Sequence, residues 1–309
     1  MPKSMNIQEF FQTFSTDDAC LDYLFQTRYG DDPECPRCGE TGKFRKLAKM
    51  PAYTCNCGHH IHPMVGTPFE RSRTPLQKWF YAMYLFTTTR NGVAAKEIQR
   101  QLGVTYKTAW RIAREIRIYM GWADGDGRMG GPGNGIVEAD KTFIGGKDKR
   151  GFEDKSIVLG MIERGGEVVT RVIPNRQEIT VATHLLQWVR SGARLATDEG
   201  RAFVNLSDYG FRHATVNHSA KEYVRGSVHT NTIEAYWAMV KRTIAGTHVW
   251  VSPKHLSTYL GEIEFRWNLR KQEHLMFPVL LASFPKPLRG SGAQTPWHHL
   301  RMDALWRIA

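Results

Sequence analysis

The chain has 309 residues, with 42 Lys and Arg against 30 Asp and Glu, a formal charge of +12. That length supports two or three domains with their own cores, and that charge favours an anionic partner, nucleic acid above others. No apolar run approaches the ~20 residues of a membrane span, and the start, MPKSMNIQEFFQTFSTDD, lacks a signal-peptide core, so a cytoplasmic protein without a membrane partner is expected.

Residues 1–30 read as a helical segment: Phe10, Phe11 and Phe14, then Leu21, Tyr23, Leu24 and Phe25, recur at helical spacing. The chain has five cysteines, too few and too unevenly placed for a disulfide framework. Cys20 sits among the apolar helix positions and reads as a packed core thiol. The other four cluster within residues 31–66. Cys35-Pro-Arg-Cys38 is a knuckle whose two thiolates can grip one tetrahedral Zn²⁺. Cys55-Asn-Cys57 is one residue shorter than the usual second knuckle, which leaves the fourth ligand open among Cys57, His59, His60 and His62. A closed set of this kind makes the zinc structural, and so small a module lacks the apolar mass to fold without it.

From Pro75, PLQKWFYAMYLFTTTRNG is helical, with proline near the first turn. AAKEIQRQLGVTYKTAWRIAREIRIYM gives two helices broken at Gly103, with Ile98, Leu102, Val104, Ala109 and Ile112 as a shared core. Residues 67–122 thus form an all-α helix-turn-helix unit. Thr105 can cap its second helix, and Tyr106, Lys107, Thr108, Arg111 and Arg114 lie on or near the exposed side, suited to major-groove and phosphate contact.

Residues 123–135, ADGDGRMGGPGNG, are glycine-rich enough to read as a linker. Beyond it IVEADKTFIGG is a strand, and SIVLGMIERGGEVVTRVIP a hairpin turning at Arg164-Gly165-Gly166. ITVATHLLQWVRSG is an amphipathic helix, ARLATDEG a short buried strand ending in acid, and HATVNHS a further strand. HTNTIEAYWAMVKR and PKHLSTYLGEIEFRWNLRK are helices. The tail, residues 285–309, is basic and weakly patterned; Trp297, His298, His299 and Trp306 suit packing as well as stacking.

Asp140 lies on the first strand after the linker, with Glu138 on the same face, and Asp198 ends a second strand. At about 100° per residue, Ile233, Tyr236, Trp237 and Val240 form one apolar stripe of the next helix, while Asn231, Glu234 and Lys241 fall in a sector of roughly 80° beside it. Carboxylates on adjacent strands and a flanking helix can gather around Mg²⁺, which prefers oxygen ligands and a partly hydrated shell.

In order, VEADKTFIGGK, TDEGRAF, VNHSAKEYV and HTNTIEAYWAMVKRTI resemble the catalytic domain of bacterial insertion-sequence transposases of the DDE kind. CPRCG and AAKEIQRQLGVTYKTAWR resemble the zinc-ribbon and helix-turn-helix head of the same group. The resemblance spans roughly residues 17–272. It implies a multidomain chain: an α+β zinc ribbon, an all-α helix-turn-helix, and an α/β ribonuclease-H-like core over residues 136–284 with a mixed five-stranded sheet. It further implies Asp140 and Asp198 as the first two metal ligands, with an asparagine or glutamate at the third position followed by a lysine. Both candidates are present. An anionic oxygen binds Mg²⁺ better than a neutral amide, which favours Glu234, with Asn231 completing the shell or orienting a water and Lys241 on a DNA phosphate. Mn²⁺ can substitute.

The implied enzyme binds the terminal inverted repeats of its element and cleaves there. It then joins the freed 3′-hydroxyls to target DNA by two-metal phosphoryl transfer, as at least a dimer when it synapses two ends, at the nucleoid. Two other readings share these residues: a catalytically inactive, transposase-derived DNA-binding regulator, and a purely hydrolytic metal-dependent nuclease.

Overall fold

The computed structural model describes residues 4–124, 127–131, 135–145, 155–216 and 224–284. The tail 285–309 lies outside them, as does most of VNHSAKEYV. The chain divides into two units, one built from residues up to Tyr119 together with residues 272–284, the other from Met120–Lys271.

In the first unit, helix α1 (Ile7–Thr13) starts at a reciprocal cap. The Asn6 side chain accepts from the Gln8 and Glu9 amides, and Glu9 accepts from the Asn6 amide at 2.7 Å, satisfying donors that a helix start leaves orphaned. Helix α2 (Asp17–Tyr29) buries Cys20, Leu21, Leu24 and Phe25, so Cys20 is the core thiol its spacing predicted. Strands β1 (Phe44–Lys46), β2 (Tyr53–Cys55) and β3 (His60–Ile61) form an antiparallel sheet of three. Phe25 stacks on Tyr53 with ring centroids 3.9 Å apart, which docks that sheet on α2. Helices α3 (Leu76–Thr88), α4 (Ala95–Leu102) and α5 (Tyr106–Ala123) follow. Helix α4 stops at Gly103, whose φ of 61° is costly for any residue with a Cβ.

In the second unit, β4 (Ile136–Ile144), β5 (Ser156–Glu163), β6 (Val168–Ile173), β7 (Arg194–Asp198) and β8 (Arg212–Val216) form one sheet in the order β6-β5-β4-β7-β8. β4, β5 and β6 pair antiparallel, while β7 and β8 run parallel to β4. This is the mixed five-stranded, ribonuclease-H-like sheet that the resemblance implied. Helix α6 (Glu178–Trp188) covers one face, where Val137, Ala139, Leu159 and Met161 pack with Val181 and Leu185. Helices α7 (Asn231–Thr243) and α8 (Pro253–Asn268) cover the other, against Ile144, Val158 and Ile162.

Three features depart from a plain reading of the pattern. Met129, in the glycine-rich stretch, is buried in the α6-side core and bonds backbone to backbone with Trp188 and Arg190. A Cβ on Gly130 would come within 2.5 Å of Ala193, so that glycine serves close packing there as well as reach. Helix α8 lies along the outer edge of β6: Asn268 accepts from the Val168 amide at 2.8 Å and donates to its carbonyl at 3.0 Å, and Glu264 accepts from the Thr170 amide at 3.0 Å. Helix α9 (Met276–Ser283), in the segment expected to close the catalytic domain, groups with the first unit, where Phe277 packs against Phe10, Phe14 and Tyr84.

Candidate active site

The register places the first two acids together. Glu138 lies opposite Ala196 on the parallel neighbours β4 and β7, so Asp140 and Asp198, each two residues further on, stand abreast on the same face. Electrostatics agrees with that placement. Burial and the charge of Asp198 push the Asp140 carboxyl up to about 6, against stabilising hydrogen bonds from the Lys141 amide at 2.7 Å and the Trp237 indole at 3.1 Å. Asp198 Oδ1 accepts from the Gly200 amide at 3.0 Å.

Sequence reasoning passed over three residues that build this site. Lys141 turns to the other side of β4, with its ammonium 3.8 Å from the Phe203 ring centroid; burial lowers its pKa while Asp198 and Asp140 hold it up. Trp237, assigned to the apolar stripe, also donates to Asp140. Gly160, opposite Asp140 on β5, leaves room for that indole: a Cβ there would overlap Trp237 Cζ2 and come within 2.9 Å of Ile233. The alternation of β5 could have flagged Gly160, the one residue without a side chain in an otherwise apolar strand.

Glu138, noted only as a neighbour of Asp140, is fully buried and caps α7 from across the sheet. Its carboxylate accepts from the Thr232 and Ile233 amides at 2.9 and 3.0 Å and from the Thr232 hydroxyl at 2.9 Å. Arg164 Nε lies 2.6 Å and His229 Nδ1 3.1 Å from it. Two acids of one strand face therefore fix α7 at two heights, Glu138 at its first turn and Asp140 through Trp237.

On α7 the stripe Ile233, Tyr236, Trp237 and Val240 is buried, and Asn231, Glu234 and Lys241 are exposed beside it. Glu234 accepts a hydrogen bond from the Thr230 hydroxyl at 2.8 Å. Among the described residues, the set of three or more Cys, His, Asp or Glu whose ligand atoms converge is the cysteine set; Glu234 is not gathered with Asp140 and Asp198. Two abreast carboxylates, one pressed toward its protonated form by the other, fit a hard divalent cation, which relieves that repulsion with oxygen ligands.

Cys35, Cys38, Cys55 and Cys57 bring their sulfurs within 4.8 Å of one another, a fit to one tetrahedral Zn²⁺ that takes Cys57, not a histidine, as the fourth donor. Both knuckles close on a left-handed glycine. The Gly39 amide donates to the Cys35 carbonyl and Gly58 to Cys55, so the shorter second loop drops a residue yet keeps its glycine directly after the second cysteine.

At the turn between α4 and α5, Thr105 Oγ1 accepts from the Thr108 amide at 3.3 Å. Tyr106, Lys107 and Arg111 are exposed, Thr108 and Arg114 half-buried. Arg111 lies over the Trp79 ring and Arg114 pairs with Glu115 at 3.0 Å.

The second unit thus sets paired acids on adjacent parallel strands of a mixed sheet, and the first unit carries a four-cysteine ribbon. Residues 133–268 match the ISXO2-like transposase domain and residues 15–60 the transposase zinc-ribbon domain. The chain thus carries a transposase-type domain and a transposase-type zinc ribbon. It is 29% identical over 281 residues to an uncharacterized protein in transposable element ISH50 of Halobacterium salinarum, covering 82% of this chain and 92% of that one. An uncharacterized transposase-like protein of Haemophilus influenzae is 28% identical over 102 residues, 33% of this chain and 81% of the relative. Among solved structures, the catalytic core domain of BIV integrase aligns with 57% of this chain and 100% of its own at 20% identity and a TM-score of 0.27. Among the described residues no helix is long and apolar enough to cross a membrane.

Proposed function

We propose that this transposase cleaves the ends of its element and joins their 3′-hydroxyls to target DNA at the Asp140–Asp198 site, with Mg²⁺ or Mn²⁺ as cofactor. The carrying observation is the abreast placement of the two acids at a raised Asp140 pKa. A divalent metal bound there supplies positive charge for in-line displacement at phosphorus. Asp140 and Asp198 hold it, and Glu234 is the third ligand, reaching it by leaving Thr230. Asn231 orients a water, and Lys241 holds a DNA phosphate. Tyr106, Lys107, Thr108, Arg111 and Arg114 read the terminal repeat as at least a dimer brings two ends together, and zinc on the four cysteines keeps the ribbon folded.

The test is to incubate the protein with Mg²⁺, DNA carrying the two element termini, and a plasmid target. Joined products support the reading. Cleaved ends without joining identify a hydrolytic nuclease, and end binding without cleavage a DNA-binding regulator.

A further inference from the structure

Helix α7 runs into a π-helical turn, Ile244–His248, and then into Val249 at φ 64° and ψ −50°. The Trp250 amide donates to the His248 carbonyl at 2.6 Å, closing a three-residue γ-turn. This form of the turn is rare and strained, and more so at a β-branched residue. Strain of that kind persists only where the surroundings enforce it. Both flanks are anchored here: the His248 ring packs edge-on against Tyr259 of α8, centroids 4.8 Å apart, and Val251 is buried in the α7–α8 core. Between those anchors Val249 and Trp250 stand in solvent, 79% and 52% exposed.

Two adjacent large apolar side chains, held out at a cost in backbone energy, form a contact surface. The charge around them selects the partner. From residue 241 to 261 the chain carries Lys241, Arg242 and Lys254 and neither Asp nor Glu, and the three cations are exposed. A second copy of this chain would bring like charge to like charge. The segment also continues the helix that bonds Asp140 through Trp237, with Val249 twelve residues on, at most roughly 18 Å further along its axis by helical rise, a distance of a few nucleotides.

We propose that Val249 and Trp250 form a wedge that enters DNA near the scissile phosphate, with Trp250 stacking on an unpaired base and Lys241, Arg242 and Lys254 on the flanking phosphates. This rests on the DNA-cleaving reading above. Every base offers a π-face to an aromatic ring, so the contact needs no sequence preference, and apolar wedges unstack and kink a duplex.

The experiment uses the full chain, a forked DNA with 2-aminopurine at the first unpaired position, and a fully paired duplex of the same sequence. The wild type is expected to bind both and to change the 2-aminopurine fluorescence. Trp250→Ala should bind the fork roughly tenfold more weakly and lose the fluorescence change, with paired-duplex binding little altered, and Trp250→Phe should recover most of the signal. Val249→Gly, which removes the left-handed strain, should keep or raise thermal stability while weakening fork binding; a merely packed Val249 would give the reverse. Wild-type fork affinity and signal in Trp250→Ala would overturn the wedge. A Trp250→Ala protein that sediments as a smaller species with the fork signal intact would replace it by a copy-to-copy contact. Failure of the wild type to bind even the paired duplex would overturn both the wedge and the DNA-cleaving reading.

Discussion

The Trp237 indole donates to Asp140 at 3.1 Å, and it lies where Gly160 has no side chain. A proposed metal ligand is thus aimed by an aromatic side chain whose seat is a missing Cβ on the neighbouring strand. Gly160→Ala should displace the indole or part the strands. We expect a loss of about 1–3 kcal/mol, the usual cost of overpacking a core, and a fall in strand cleavage greater than the fall in folded fraction. Urea unfolding and cleavage measured on the same preparation check this; an alanine variant with wild-type values on both would remove the steric role.

Glu138→Gln should be among the more damaging single changes in the second unit. It keeps the shape of the cap but leaves Arg164 beside a neutral partner in a buried setting; breaking buried pairs costs about 3–5 kcal/mol. Chemical denaturation supplies the number, and a loss below about 1 kcal/mol would mean water or His229 compensates.

Asp140 gives a pH dependence whose sign can be worked out. Its folded pKa of about 6 lies above the unfolded value of ~3.9, so the folded state holds a proton that the unfolded chain has lost across that window. Metal-free stability should therefore fall as pH rises from about 4 to about 6, by up to roughly 3 kcal/mol from this group. Asp140→Asn should be more stable than wild type at pH 8 and no more stable at pH 4. The measurement is thermal unfolding in magnesium-free buffer without chelator, which leaves zinc in place. Equal stability of the two proteins at pH 8 would refute the assignment.

Zinc content should separate the candidate donors of the ribbon. Cys57→Ser should lose the metal and weaken DNA binding, because metal binding supplies the folding energy of the module. Alanine at His59, His60 or His62 should retain it. Elemental analysis of each purified variant decides, and zinc retained without Cys57 would return the fourth position to a histidine.

On α7 the roles divide by chemistry. Glu234→Gln should lose most joining activity and Asn231→Ala less, with Mn²⁺ partly rescuing the former. Lys241→Ala should weaken DNA binding most at low salt and flatten the salt dependence by about one charge, since one phosphate contact is gone. Near-wild-type joining by both Glu234→Gln and Asn231→Ala would leave this helix without a metal-binding role.

Much of this arrangement was legible because the signals are local. The Cys35–Cys38 spacing, the stop at Gly103 and the stripe from Ile233 to Val240 each depend on residues a few positions apart. What escaped depends on register. Glu138 capping a helix ninety-four positions away, and the seating of Trp237 on Gly160, become visible only when α7 is docked on β4 and β5. The fourth zinc donor was open because spacing cannot say how tightly a turn closes, and Gly58 closes it one residue early.

The side chains of Glu264 and Asn268 occupy the outward amide and carbonyl of Val168 and the outward amide of Thr170 on β6. A helix here plays the part of a missing sixth strand. An intruding peptide would find these positions of that margin already spoken for, so copies of this domain crowded onto one DNA should resist zippering sheet to sheet along it. Association through side chains or helices remains open to them.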